Sequence, residues 1–262
     1  ATWLSIFIAI FMLLGQAPAL KAQPATTQTA GAGAITGGKT VNIPHLEGRP
    51  ELDGILDEDL WSRAAVIEDF HQMIPTEYAS PSQSTTVRLF YTDDALYIGA
   101  LMREDDPSLI TANIVQQGQS LPNDDLLDVM IDPYLDRRGG YLFEINPNDV
   151  RNQGVYQNIS RVDRSWEGIW QANSSINDEG WATEMRIPFQ SISFDPANTE
   201  WGINFRRAIR RNSEEIVWIS RNREMNPSIA GTATGFTGLQ QGLGLDVVPY
   251  LVMRQERIYG SE

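Results

Sequence analysis

Asp128, Glu144 and Asn146 are polar side chains set among apolar neighbours near the middle of the chain. Two carboxylates and an amide on one rigid surface can grip a polar ligand such as a sugar. Two carboxylates at a fixed separation can also cleave a glycosidic bond, one as acid and the other as base or nucleophile. The chain holds 34 Asp and Glu residues, so such a pair carries little weight for hydrolysis by itself. Trp166 and Trp170 form a second set. They stand four residues apart, a spacing that shares a face on a helix and also on a strand. Their flat rings match the C–H faces of a pyranose, and they equally suit core packing.

The element that positions the polar trio is the stretch DDLLDVMIDPYLDRRGGYLFEIN, residues 124–146. It reads as a strand, a charged turn and a second strand. Leu127, Val129 and Ile131 alternate with Leu126, Asp128 and Met130; Tyr141, Phe143 and Ile145 alternate with Leu142, Glu144 and Asn146. Successive strand residues point to opposite faces, so one face meets the core and the other presents Asp128, Glu144 and Asn146. The link carries Asp132, Asp136, Arg137 and Arg138 before Gly139-Gly140, as suits a surface turn. The polar face is either a ligand-gripping surface or a solvated outer face.

Composition narrows the chemistry. A net charge of −14 and a pI near 4.5 argue against nucleic acid as a partner. With no cysteine, disulfides, thiolate catalysis and cysteine-bound zinc are excluded. Two histidines, His45 and His71, are too few for a histidine-rich metal centre. No Ser-His-Asp order and no phosphate-binding glycine loop offers another reaction.

Along the chain, residues 3–14 are continuously apolar and Ala17-Pro18-Ala19 follows, as in a secretory signal peptide spanning 1–22. Residues 23–40 read as a small-residue flexible linker. From 41 to 227 short alternating strands predominate. They include a hairpin over Thr85–Tyr91 and Ala95–Leu101, then Trp181–Ile187, Trp201–Arg207 and Ile216–Ser220. Residues 104–125 read as a loop, and Asp57–Trp61 as a short helical turn with Trp61 anchoring it. This pattern predicts an all-β, antiparallel, jelly-roll-like sandwich. Residues 228–262 read as a glycine-rich linker and the start of a further strand-rich region.

The run from Leu52-Asp53-Gly54 through Asp57-Glu58-Asp59-Leu60-Trp61 resembles the opening of family 9 carbohydrate-binding modules. The likeness continues through Asp124-Asp125 to Asp132-Pro133, Phe143–Pro147, Gly180-Trp181, Glu184, Ile187-Pro188 and Trp201–Phe205, over about residues 41–222. Asp136–Arg138, Trp201–Arg207 and Val248-Pro249-Tyr250 are similar to a group of bacterial outer-membrane proteins. In that group the module follows a signal peptide and precedes a C-terminal β-barrel. The resemblance implies a non-catalytic sandwich that binds an oligo- or polysaccharide, on an exported protein of the bacterial periplasm or outer membrane. Any hydrolase activity would belong to an attached domain. The alternative is an accessory or gating domain of the barrel, without sugar affinity. The resemblance implies Asp125, Asp128 and Arg138 as polar sugar partners and Trp166 or Trp170 as an aromatic wall. No tryptophan stands near Leu121-Pro122, where a second wall is expected. It also implies structural calcium, for which Asp105, Asp106, Asp124 and Asp132 are the candidate ligands.

Overall fold

The computed structural model describes residues 38–241. The expected signal peptide, linker residues 23–37 and the strand-rich run 242–262 lie outside the described residues. The described strands are β1 (Thr40–Asn42), β2 (Ala65–Ile67), β3 (His71–Ile74), β4 (Thr85–Tyr91), β5 (Ala95–Arg103), β6 (Leu126–Asp132) and β7 (Gly140–Ile145). They continue with β8 (Arg151–Asn158), β9 (Arg161–Asp163), β10 (Gln171–Asn177), β11 (Gly180–Pro188), β12 (Glu200–Ile209), β13 (Glu214–Val217) and β14 (Gly231–Thr234). One short helix, α1, covers Asp59–Arg63.

The strands form two sheets. The small sheet runs β10-β11-β5-β4-β2, all antiparallel. The large sheet runs β1-β14-β12-β6-β7-β8-β9. Strand β12 organises it. One edge of β12 pairs with β6; the other pairs first with β14 and then with β13, which carries β3. Among the described strands, β1 and β14 alone pair in parallel. This is the all-β sandwich that the alternation predicted, with no closed barrel among the described residues. The glycine-rich stretch after 227 does more than link: β14 sits between β1 and β12, so the sheet runs past the expected boundary. Its small residues fit there because Trp218 packs against Gly231, where a Cβ would come within 2.3 Å of the ring.

The two sheets close over one apolar layer. Leu127, Val129, Ile131, Phe143 and Ile145 meet Leu89, Ile98, Met102, Trp181 and Met185, all buried. Each large apolar side chain buried in this way contributes about 1.5–3 kcal/mol. The alternation thus fixes register: a slip of one residue would turn these side chains outward.

The outer faces are not bare. On the small sheet, α1 and the residue after it cover Phe90, Ala95 and Tyr97 with Leu60, Trp61 and Ala64, and Leu46 and Leu56 pack against them. On the large sheet two small clusters sit outside: Leu121, Leu126, Val150 and Ala208 in one, Met130, Leu142, Tyr156 and Ala230 in the other. Asp128 lies between Leu126 and Met130 on β6, so it is boxed in by both.

Candidate functional site

Strand register brings one row of polar side chains onto the outer face of the large sheet. Asn152, Glu144, Asp128 and Arg206 are successive cross-strand partners on β8, β7, β6 and β12. Like charges directly opposite each other, as in Asp128 and Glu144, are unfavourable unless countered. Two arginines supply the counter-charge. Arg206 Nε donates to Asp128 Oδ2 at 2.6 Å, and its Nη1 donates to Glu215 Oε2 at 3.0 Å. Arg164 grips both oxygens of Glu144, with Nη2 2.8 Å from Oε1.

Above this row is a cavity of about 450 Å³. The β8–β9 hairpin walls one side with Tyr156, Ile159 and Val162; Met73 and Ile74 of β3 and the turn at Arg223–Asn226 wall the other. The volume suits a small molecule. Its floor holds an unusual group. Asp128 is fully buried, yet its Oδ1 has no hydrogen-bond donor. Burial pushes its carboxyl up to about 7, against the pull of Arg206 and with help from Glu144. Attraction to Asp128 in turn holds the Arg206 guanidinium above its usual range. Burial raises the Tyr156 hydroxyl to about 12, and the Asp128 charge adds to that. A buried acceptor without a donor is costly, so a ligand that donates there relieves a cost already present.

The other expected site residues go elsewhere. Asn146 is buried but faces away from the ligand task. Its Nδ2 donates to Asp124 Oδ2 and to the Ile114 carbonyl, both at 2.9 Å, and its Oδ1 accepts from Val150 N at 2.8 Å. It pins the 104–125 loop to the sheet. Asp125 Oδ1 accepts from Arg210 N at 2.7 Å, away from the cavity lining. Arg138 is exposed in the β6–β7 turn, its backbone N–H bound to Asp136. Trp170 is buried, donates from Nε1 to Gln153 Oε1 at 2.7 Å, and packs edge-on to Phe143. Trp166 is half-buried against Tyr141 and Phe143. Both tryptophans therefore pack with the inward-facing aromatics of β7, on the opposite side of the sheet from Asp128.

The four acids considered for calcium are held by separate hydrogen bonds. Asp105 accepts from Gln83, Asp106 caps the turn at Ser108, Asp124 accepts from Asn113 and Ile114, and Asp132 accepts from the Arg137 N–H. Among the described residues no three His, Asp or Glu side chains gather as a ligand set for a metal.

Arg206, Arg164 and Tyr156 are among the cavity residues that escaped the sequence reading as site residues. Arg206 was legible only as outward-facing on its strand. Arg164 sits in a turn whose path no periodicity predicts. Tyr156 gives no local signal that distinguishes a wall from a core residue.

The model of the family described as carbohydrate family 9 binding domain-like matches residues 52–221. Two similar solved structures are of a family 9 carbohydrate-binding module from Caldicellulosiruptor kristjanssonii. One, in complex with cellotriose, is 20% identical over 81% of this chain and 99% of that chain, with a TM-score of 0.53. The other, in complex with glucose, is 19% identical over 80% of this chain and 100% of that chain, with a TM-score of 0.52. At these identities the likeness is one of fold. No curated protein matches the chain.

Proposed function

Because this chain belongs to the carbohydrate family 9 binding domain-like family, we propose that it is a non-catalytic sugar-binding module whose site is the cavity over Asp128. The observation that carries this reading is the buried Asp128 carboxylate, with Oδ2 clasped by Arg206 and Oδ1 lacking a donor. A sugar hydroxyl supplies that donor. Apolar walls receive the C–H groups of the ring, and the charge pairs below keep the floor rigid. The glucose and cellotriose complexes of the structural neighbours support the ligand class. Asp128 and Glu144 hold rather than cleave in this reading, because a guanidinium ties each of them.

Calorimetric titration with glucose and cello-oligosaccharides tests it. Binding that is lost in Asp128→Leu/Arg206→Met, with the fold retained by circular dichroism, is the expected result. Absence of heat with every sugar of the panel, in folded protein, overturns it.

The burial of Trp170 and the inward packing of Trp166 favour a second reading. Here the sandwich is an accessory or gating domain of an outer-membrane β-barrel in the same full-length protein, exported to the envelope and without sugar affinity. Calcium is a separate proposal. A melting temperature that rises with calcium and falls with chelator supports it.

A further inference from the structure

Opposite the β8–β9 hairpin, the cavity wall contains a tight turn. Arg221 and Glu224 exchange backbone hydrogen bonds, with Arg221 N 3.3 Å from the Glu224 carbonyl oxygen and Glu224 N 3.1 Å from that of Arg221. The two residues between them, Asn222 and Arg223, both have left-handed backbone, with φ of 56° and 59°. A two-residue turn of this kind favours Asn followed by Gly, because a Cβ in this conformation crowds the following carbonyl. Asn222 fits that preference and Arg223 does not. Seven residues with side chains have positive φ among the described residues, and of these Arg223 alone lines the cavity. Arg137, another of the seven, engages its guanidinium inside the chain, on the Ala230 carbonyl and on Thr232 Oγ1 at 3.1 Å. Arg223 is exposed and makes no ion pair among the described residues. The other two guanidiniums of the cavity are engaged: Arg206 with Asp128 and Glu215, Arg164 with both oxygens of Glu144. Backbone strain of this sort persists where packing or function demands the side chain. Packing makes no such demand of an exposed residue.

We infer that Arg223 is a ligand-contacting residue of this site, donating from the rim to an oxygen of the sugar whose hydroxyl meets Asp128 Oδ1 on the floor. This rests on the sugar-binding reading and adds a determinant of specificity to it. The floor accepts and the rim donates, so the ligand must offer a donor at one end and an acceptor at the other. Arg223 also lies beyond residues 52–221, the stretch that matches the family model. The contact is therefore a property of this chain and not of the matched domain.

The test pairs two glycine substitutions in the full chain. Arg223→Gly removes the side chain together with the strain. Asn222→Gly alters the same turn but removes a side chain that does not line the cavity. Calorimetric titration with glucose and with cellotriose reads affinity, and urea denaturation reads stability. Arg223→Gly is expected to weaken binding by about tenfold, the low end for one hydrogen bond from a charged group, with a urea midpoint equal to that of the parent or higher. Asn222→Gly is expected to bind as the parent does. Unchanged affinity in Arg223→Gly, or an equal loss in Asn222→Gly, overturns the contact and leaves the sugar-binding reading standing. A midpoint that falls in Arg223→Gly makes the residue structural and overturns the contact too. Failure of the folded parent to bind either sugar overturns both.

Discussion

The outer faces of the two sheets each hold a fully buried carboxylate that burial keeps protonated to higher pH, Asp128 on the large sheet and Glu184 on the small. Both carboxyls are pushed up to about 7. Their surroundings differ. Glu184 accepts three hydrogen bonds, from Asp53 N, Gly54 N and Trp61 Nε1, each at 2.8 Å. The segment that supplies these donors also roofs the site, so its polar atoms are satisfied from within the chain. Asp128 has a guanidinium on one oxygen, nothing on the other, and a cavity above. One carboxylate closes a structural joint. The other keeps an unmet acceptor below a cavity, as the proposed binding site requires and a staple built of similar parts does not. The Asp53-Gly54 turn is part of the joint. Gly54 has φ +84, and a Cβ there would lie 2.6 Å from the Ser174 backbone.

The largest effect is expected from damage to the closed side. Trp61→Ala is expected to cost about 3–5 kcal/mol in packing alone, with a further loss because Glu184 forfeits a donor. Urea denaturation measures it, and sugar affinity of the fraction that stays folded should not change. On the open side, Arg206→Met removes the counter-charge of a buried carboxylate and is expected to cost about 3–5 kcal/mol at pH 8. The cost should shrink at pH 5, where Asp128 can take up a proton. In Asp128→Leu/Arg206→Met both charges are gone, and stability should return to near that of the parent or above it. A double variant as unstable as Arg206→Met would mean that the pair is structural, like Glu184.

Much of this division was legible in the residues. Period-two alternation placed Leu127, Val129 and Ile131 inward and Asp128 outward, and it did the same for Trp181–Ile187 and Trp201–Arg207. Alternation reports which face a side chain takes, not what covers that face. The outer row was expected either to grip a ligand or to be solvated. It is buried and not solvated, because Leu126, Met130, Leu142 and Tyr156 build apolar clusters outside the sheet. Asn146 shares the parity of Glu144 but lies just past the end of β7, where its side chain binds a loop. The tryptophans at 166 and 170 carry no parity signal, since they precede β10 in irregular chain. The pairing of Arg206 with Asp128 depends on a strand 70 or more residues away, which local pattern cannot reveal.

A pH series distinguishes the two carboxylates by smaller effects. Both hold a proton to higher pH in the folded than in the unfolded chain. Their contribution to stability is therefore complete below the ordinary values, 3.8 for Asp128 and 4.5 for Glu184, and is lost as pH rises through about 7. Each can add a slope of up to about 1.4 kcal/mol per pH unit in that window. Urea midpoints at pH 4.5, 5.5 and 7 should fall in order. The fall should flatten in Glu184→Gln and, separately, in Asp128→Asn. Ligand should reduce only the Asp128 share, because a donor on Oδ1 favours the ionised form.

The smallest effects expected concern residues that the fold leaves on neither side of this comparison. Arg138 is exposed, and its side chain makes no ion pair among the described residues. Arg138→Ala should change stability by no more than about 0.5 kcal/mol and leave sugar affinity unaltered. A tenfold loss of affinity in that variant would relocate the site to the β6–β7 turn. Asp128 would then become a second buried staple whose missing donor has another explanation. A titration of Arg138→Ala beside the parent chain thus tests the location of the site at a residue whose removal should leave the fold intact.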